Sequence, residues 1–133
     1  MSVLDAVLAF LVALGVAAAL TPLAARLAVR IGAVDEPRER GLAARATPLL
    51  GGLAILAGTL VAAALWLPMT DELRGIMLGA ALIALVGALD DVVDLAPQWK
   101  LLGQVAAAVI AVASGVRVDN VTLPFLGALD LSE

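Results

Sequence analysis

Asp90, Asp91 and Asp94 stand at the end of a long apolar run, in the sequence Gly87-Ala88-Leu89-Asp90-Asp91-Val92-Val93-Asp94-Leu95. Adjacent carboxylates beside hydrocarbon are electrostatically unfavourable. They become tolerable if they reach water, share protons, or hold a divalent cation. If the segment is helical, positions 90, 91 and 94 fall on one face by the i, i+1, i+4 pattern. Mg²⁺ suits such a set, because it takes oxygen ligands and keeps waters and substrate phosphates in its shell; Mn²⁺ suits it as well. The plainer alternative is that these are ordinary interface residues flanking a membrane helix.

Other chemistry is narrowly bounded. The chain has no histidine, so imidazole is neither base, acid nor ligand, and no cysteine, so there is no disulfide framework or thiolate metal site. Reactivity falls to Asp, Glu, Lys, Arg and backbone. Lys100 follows the aspartates closely. It either neutralises a phosphate or snorkels to an interface as a plain lysine. Arg26, Arg30, Arg38, Arg40 and Arg45 gather in an earlier segment that leads to Gly51-Gly52. Guanidinium forks and free backbone N–H groups at a helix start can bind phosphate. The same arginines also fit anionic headgroups, and the glycine pair also fits close helix packing.

The elements that must position these residues are membrane helices. Hydrophobic residues make up 63% of the 133 residues, charged residues 15%, and mean hydropathy is +1.10. Soluble domains sit near roughly 45–50% apolar and about 25% charged. The net charge of −4 says little about partners, since the charges are segregated by loop. Nucleic acid is not expected among the partners. We read an all-α, polytopic membrane protein with about four transmembrane helices, in a single membrane domain over 1–133. The helices are expected near 3–23, 49–67, 74–90 and 99–117, with inner loops at 24–48 and 90–99. The first block lacks a basic leader and a cleavage site, so it reads as a first transmembrane helix and not as a signal peptide.

Basic residues in short loops mark the cytoplasmic side. The arginine-rich loop is therefore placed inside, and the loop at 68–75 outside. The third helix then returns inward and brings Asp90 and Asp91 to the cytoplasmic face, with Lys100 beside them. The expected location is the cell (inner or plasma) membrane, multi-pass, with the site cytoplasmic.

Five short stretches together resemble the polyprenyl-phosphate N-acetylhexosamine-1-phosphate transferases, glycosyltransferase family 4. Gly32-Ala33-Val34-Asp35-Glu36-Pro37-Arg38-Glu39-Arg40 resembles the family's first inner loop, and Thr47-Pro48-Leu49-Leu50-Gly51-Gly52 its approach to the second helix. Leu89-Asp90-Asp91-Val92-Val93-Asp94-Leu95, followed by Lys100-Leu101-Leu102-Gly103-Gln104, resembles its aspartate motif and the next helix. Val121-Thr122-Leu123-Pro124-Phe125-Leu126-Gly127 resembles the short outer segment before a fifth helix. The resemblance covers nearly the whole chain but only the N-terminal part of the family's length. A truncated or fragmentary protein is the simplest expectation. The chain departs from the family pattern at Gly41 and Ala44, where the family carries Lys and His, and at Ala46 and Leu49, where it carries Pro and Arg.

The resemblance implies transfer of N-acetylhexosamine 1-phosphate from a UDP-sugar to a polyprenyl phosphate, with release of UMP, in cell-wall or surface glycan synthesis. It implies Asp90 and Asp91 as catalytic and Mg²⁺-binding residues, and Lys100, Arg40 and Arg45 as substrate-binding residues. The partners are then a polyprenyl phosphate lipid, a UDP-N-acetylhexosamine and membrane lipids, and the 133 residues alone are expected to be inactive. Two other classes stay open from the residues: a small four-helix membrane transporter, and a non-catalytic membrane fragment. A soluble Asp-rich prenyl synthase is excluded, because such enzymes are not hydrophobic throughout.

Overall fold

Ser2 and Asp5 open the first helix by capping each other. The Asp5 amide donates to Ser2 Oγ at 3.1 Å, and the Ser2 amide donates to the Asp5 carboxylate at 2.8 Å. This reciprocal box satisfies two of the amides that a helix start leaves unpaired. The computed structural model describes residues 2–35, 47–117, 120–123 and 127–130. Its helices are α1 (Val3–Ile31), α2 (Gly51–Trp66), α3 (Asp71–Val93) and α4 (Pro97–Ala113).

Helix α1 is longer than the hydropathy pattern suggests. It continues to Ile31, although its apolar block closes near 23. Pro22 lacks the N–H that would bond to the Ala18 carbonyl, yet the helix continues. Beyond it lie Ala, Leu and Arg, all strong helix formers, and these carry the helix through what reads as loop. At 1.5 Å per residue α1 is about 44 Å long, against about 30 Å of hydrocarbon. The turns bearing Arg26 and Arg30 therefore extend beyond an apolar slab. Gly32 stops the helix in the left-handed region (φ 80°), with the amides of Gly32 and Ala33 both donating to the Ala28 carbonyl. Glycine takes this conformation without a Cβ penalty.

A two-residue antiparallel ladder then pairs β1 (Val34–Asp35) with β2 (Thr47–Pro48), Val34 opposite Pro48 and Asp35 opposite Thr47. The ladder delivers Leu50 onto the end of α1, where Ala28, Ala33 and Leu50 form a small buried cluster. Ala24, Leu53 and Ala88 pack around it, which ties α1, α2 and α3 together at this end.

The helices form two antiparallel hairpins, α1 with α2 and α3 with α4, each joined through small residues. Ala54, Gly58 and Ala62 recur every fourth position of α2 and are buried. A Cβ at Gly58 would collide with the Ala13 carbonyl of α1. In the second pair, Gly75 and Gly79 of α3 lie against Ser114 and Ala107 of α4, and Gly103 of α4 lies against Val86 of α3. Between helices in lipid, the hydrophobic effect supplies little drive, so close backbone approach of this kind is the usual source of packing energy.

Helix α3 starts at Thr70, whose Oγ1 accepts the Leu73 amide at 3.2 Å, and α4 starts on Pro97, whose missing N–H is harmless at a helix start. Among the described residues, α1 and α3 are long and apolar enough to cross a membrane. Helices α2 and α4, with 16 and 17 residues, are shorter and lie beside them. Trp66 and Trp99 sit at opposite ends of the bundle, as interface-anchoring aromatics do. The segment after α4, read as a short outer segment, contains an antiparallel hairpin of β3 (Asn120–Leu123) and β4 (Gly127–Asp130).

Candidate functional site: a carboxylate-lined cavity at one end of the bundle

Chain direction places three features at the same end of the bundle: the C-terminus of α1 with the β1–β2 ladder, the start of α2, and the α3–α4 turn. There the first turn of α2 faces the last turns of α3 across an open cavity of about 280 Å³. Leu50, Gly52 and Leu53 form one wall, and Gly87, Asp90 and Asp91 the other. Asp90 and Asp91 are thus brought together with the approach to α2. Arg40 and Arg45, also expected here, lie outside the described residues, as do Gly41 and Ala44.

Glycines lining this cavity differ from those between the helices. At Gly52 and at Gly87 an added Cβ would meet no described atom within 4 Å. Helix packing among the described residues therefore does not require either glycine. Their lack of side chains leaves the cavity open between α2 and α3. The close-packing alternative for the Gly51-Gly52 pair finds its real instances elsewhere, at Gly58, Gly75 and Gly79.

The three aspartates do not share a helical face. Helix α3 ends at Val93, and Asp94 caps it in the left-handed region with φ 48°. The Asp94 amide still donates to the Asp90 carbonyl, but the chain turns there and the Asp94 side chain is fully exposed. Aspartate is one of the few non-glycine residues that tolerates this conformation, which is why the turn forms at this position. The i, i+1, i+4 expectation fails because it assumed the helix ran one residue further.

Asp90 occupies the centre of the turn. Its Oδ1 accepts from Lys100 Nζ at 2.7 Å and from the Leu95 amide at 3.0 Å. Lys100 also lies 4.0 Å from Asp94. Lys100 is therefore a partner of the aspartates, and both it and Asp90 are only about one-third exposed. Asp91 is half-buried, and no described cation lies within ion-pair distance of it. The Leu95 bond and the Asp94 cap had no sequence signal beyond an Asp three residues before a proline.

As a metal site the arrangement is partial. Among the described residues no group of three or more acidic, histidine or cysteine side chains could enclose an ion. The donor set nevertheless fits a hard cation: two oxygen-only ligands beside a cavity that glycines keep open, with room for phosphate oxygens and water. Mg²⁺ is commonly held in this way, by one or two carboxylates plus substrate phosphates.

Comparison with known proteins bears on the sequence that carries this turn. Residues 73–132 match glycosyl transferase family 4, a span that includes the whole aspartate turn and Lys100. The chain is 38% identical over 122 residues to a probable undecaprenyl-phosphate N-acetylglucosaminyl 1-phosphate transferase of Bacillus subtilis (strain 168), covering 90% of this chain and 34% of that protein. The chain belongs to glycosyl transferase family 4. A decaprenyl-phosphate N-acetylglucosaminephosphotransferase of Mycolicibacterium smegmatis is 34% identical over 110 residues, covering 76% of this chain and 27% of the relative. An undecaprenyl-phosphate alpha-N-acetylglucosaminyl 1-phosphate transferase of Yersinia pestis is 34% identical over 92 residues, 68% of this chain and 25% of the relative. The chain therefore spans between a quarter and about a third of the length of these family 4 relatives. No solved structure matches it. With its apolar helices and these relatives, this family 4 chain is a membrane protein.

Proposed function

We propose that this chain forms part of a membrane transferase that moves N-acetylhexosamine 1-phosphate from a UDP-sugar to a polyprenyl phosphate and releases UMP. The observation that carries the reading is the cavity where Asp90, Asp91 and the start of α2 meet, within a sequence whose relatives are named as polyprenyl-phosphate N-acetylglucosamine phosphotransferases. An oxygen of the lipid phosphate attacks the sugar-linked phosphorus. The bond from that phosphorus to the bridging oxygen breaks, and UMP carries away the electron pair. The product is a lipid-linked diphosphosugar for cell-wall or surface glycan synthesis.

Such a reaction depends on positioning and charge neutralisation more than on a strong nucleophile. Asp90 and Asp91 would hold Mg²⁺, or Mn²⁺, which when bound neutralises phosphate oxygens. Lys100 supplies positive charge beside Asp90, and Arg40 and Arg45 are proposed as further phosphate contacts. A lipid acceptor gives a reason for a charged cavity at the end of apolar helices. The arginines of the first inner segment support a reading of the site on the cytoplasmic side of the cell membrane.

The test is UMP release from UDP-N-acetylglucosamine with undecaprenyl phosphate and Mg²⁺. The protein assayed is a chimera in which these 133 residues replace the matching third of the Bacillus subtilis relative. Release that requires both substrates and vanishes in Asp91→Asn is expected. A folded, membrane-inserted chimera without release would overturn the reading.

A further inference from the structure

We propose that Arg26 and Arg30, on the outward face of α1, form a binding site for the phosphate of an anionic phospholipid headgroup. This site is separate from the transferase cavity and follows from where α1 leaves an apolar slab.

Between Asp5 and Arg26 the helix carries no charged side chain. That run, 6–25, is about 30 Å long at 1.5 Å per residue, which matches the thickness of a hydrocarbon core. Arg26 therefore stands at the edge of the slab. Arg30 is one turn further out, about 6 Å along the axis. Long helical side chains lean towards the helix start, so the Arg30 guanidinium is carried back towards the level of Arg26. Both then meet the headgroup layer, which is about 5–7 Å deep on each side.

Packing fixes the face. Ala24 and Ala28 join the cluster with Ala33 and Leu50, and Ala13 and Ala17 lie against Gly58 of α2. Arg26 and Arg30 stand two residues either side of Ala28, and so about 160° around the helix from it. Both are exposed. The β1–β2 ladder is tied to the Ala28 side, where the Leu49 amide donates to the Ala33 carbonyl.

Between the two arginines the surface is recessed. Ala25 and Val29 line a hollow of about 390 Å³ together with Arg26 and Arg30. Val29 and, one turn before Arg26, Leu23 leave hydrocarbon exposed beside it. A phospholipid matches both parts, its phosphate meeting the guanidinium forks and its first acyl carbons the apolar floor. A phosphodiester has two free oxygens sharing one charge. Two guanidiniums four positions apart on one helix face can each take one of them. The plainer alternative is that the arginines only complement the dipole at the end of α1, which asks nothing of the lipid.

The test places the 133-residue chain in neutral detergent micelles doped with dioleoylphosphatidylglycerol or dioleoylphosphatidylcholine, and reads the lipid retained per chain by native mass spectrometry. A preference for phosphatidylglycerol is expected. It should fall about fivefold in Arg26→Gln and in Arg30→Gln, the scale of one basic residue at an anionic surface. Arg74→Gln should keep the preference, because Arg74 pairs with Asp71 at the other end of the bundle. Arg26→Lys with Arg30→Lys keeps the charge without the forks and should lose part of it. Circular dichroism checks that each variant keeps its helices. Absence of a preference in the unsubstituted chain would overturn the site, as would a full preference in the double glutamine or the double lysine variant. Glu36→Gln with Glu39→Gln should change nothing. A large rise there would show that the chain's own carboxylates hold the arginines, and would overturn the site too. Displacement of phosphatidylglycerol by undecaprenyl phosphate at far lower concentration would overturn the choice of occupant.

Discussion

Gly79 of α3 lies so close to Ala107 of α4 that a Cβ built on the glycine would stand 2.9 Å from the Ala107 carbonyl oxygen. One turn earlier a Cβ on Gly75 would collide with the Ser114 side chain, just past the end of α4. The α3–α4 hairpin, which carries every described charged residue of the site, is thus held by close contacts at its glycines. Gly79→Leu should destabilise it by about 1–3 kcal/mol, the usual range for overpacking a well-filled contact. Thermal unfolding in detergent checks this, with Gly15→Leu, where a Cβ meets nothing within 4 Å, as the comparison without overpacking.

Gly87 should behave in the opposite sense. It is inside α3, nothing described opposes a Cβ there, and it lines the cavity. Replacing a helical glycine by alanine gains up to about 1 kcal/mol of helix stability. Gly87→Ala is therefore expected to raise the melting temperature. Gly87→Leu is expected to fill the cavity and abolish UMP release in the chimera. A Gly87→Leu chimera with undiminished release would show that substrate does not use this cavity.

The arginine-rich segment and the aspartate turn should be labelled from the same side. β1, β2 and the start of α2 lie at the end of the bundle where α3 meets α4. The chain has no native cysteine, so single cysteines at positions 41 and 98 give clean reporters. Both should react with a membrane-impermeant maleimide only in inverted vesicles. Reaction of position 41 in intact cells would contradict the cytoplasmic assignment.

Assayed as 133 residues alone, the chain should release UMP far more slowly than the chimera. Phosphoryl transfer relies on several preorganised charges acting as a unit, and losing part of such a set is grossly non-additive. Ala44 and Gly41 stand at positions where the family carries His and Lys. Robust UMP release by the 133 residues, abolished in Asp91→Asn, would contradict this expectation while supporting the site.

Caps make a last, independent prediction. Thr70→Ala removes the acceptor of the Leu73 amide at the start of α3, and should cost about 1 kcal/mol. Because Thr70 is at the opposite end from the cavity, unfolding should shift while UMP release by the folded chimera stays as it was.

Hydropathy and charge made the four helices, their membrane setting and the interest of Asp90 and Asp91 readable directly, because a lipid solvent demands long apolar runs and penalises carboxylates within them. Composition could not say that α1 runs through Pro22 to Ile31, since a proline and two arginines resemble a loop when read locally. Nor could it say which glycines are spacers: Gly52 and Gly58 are alike as letters, and only Ala13 beside one, with no described atom against the other, separates them. The aspartates show the same limit. Their number and order are in the sequence, but the left-handed turn at Asp94, which sends that carboxylate outward and brings Lys100 back onto Asp90, depends on how α3 and α4 pack. Tertiary contact decides that geometry, because one residue in the left-handed region at a helix end redirects the chain that follows.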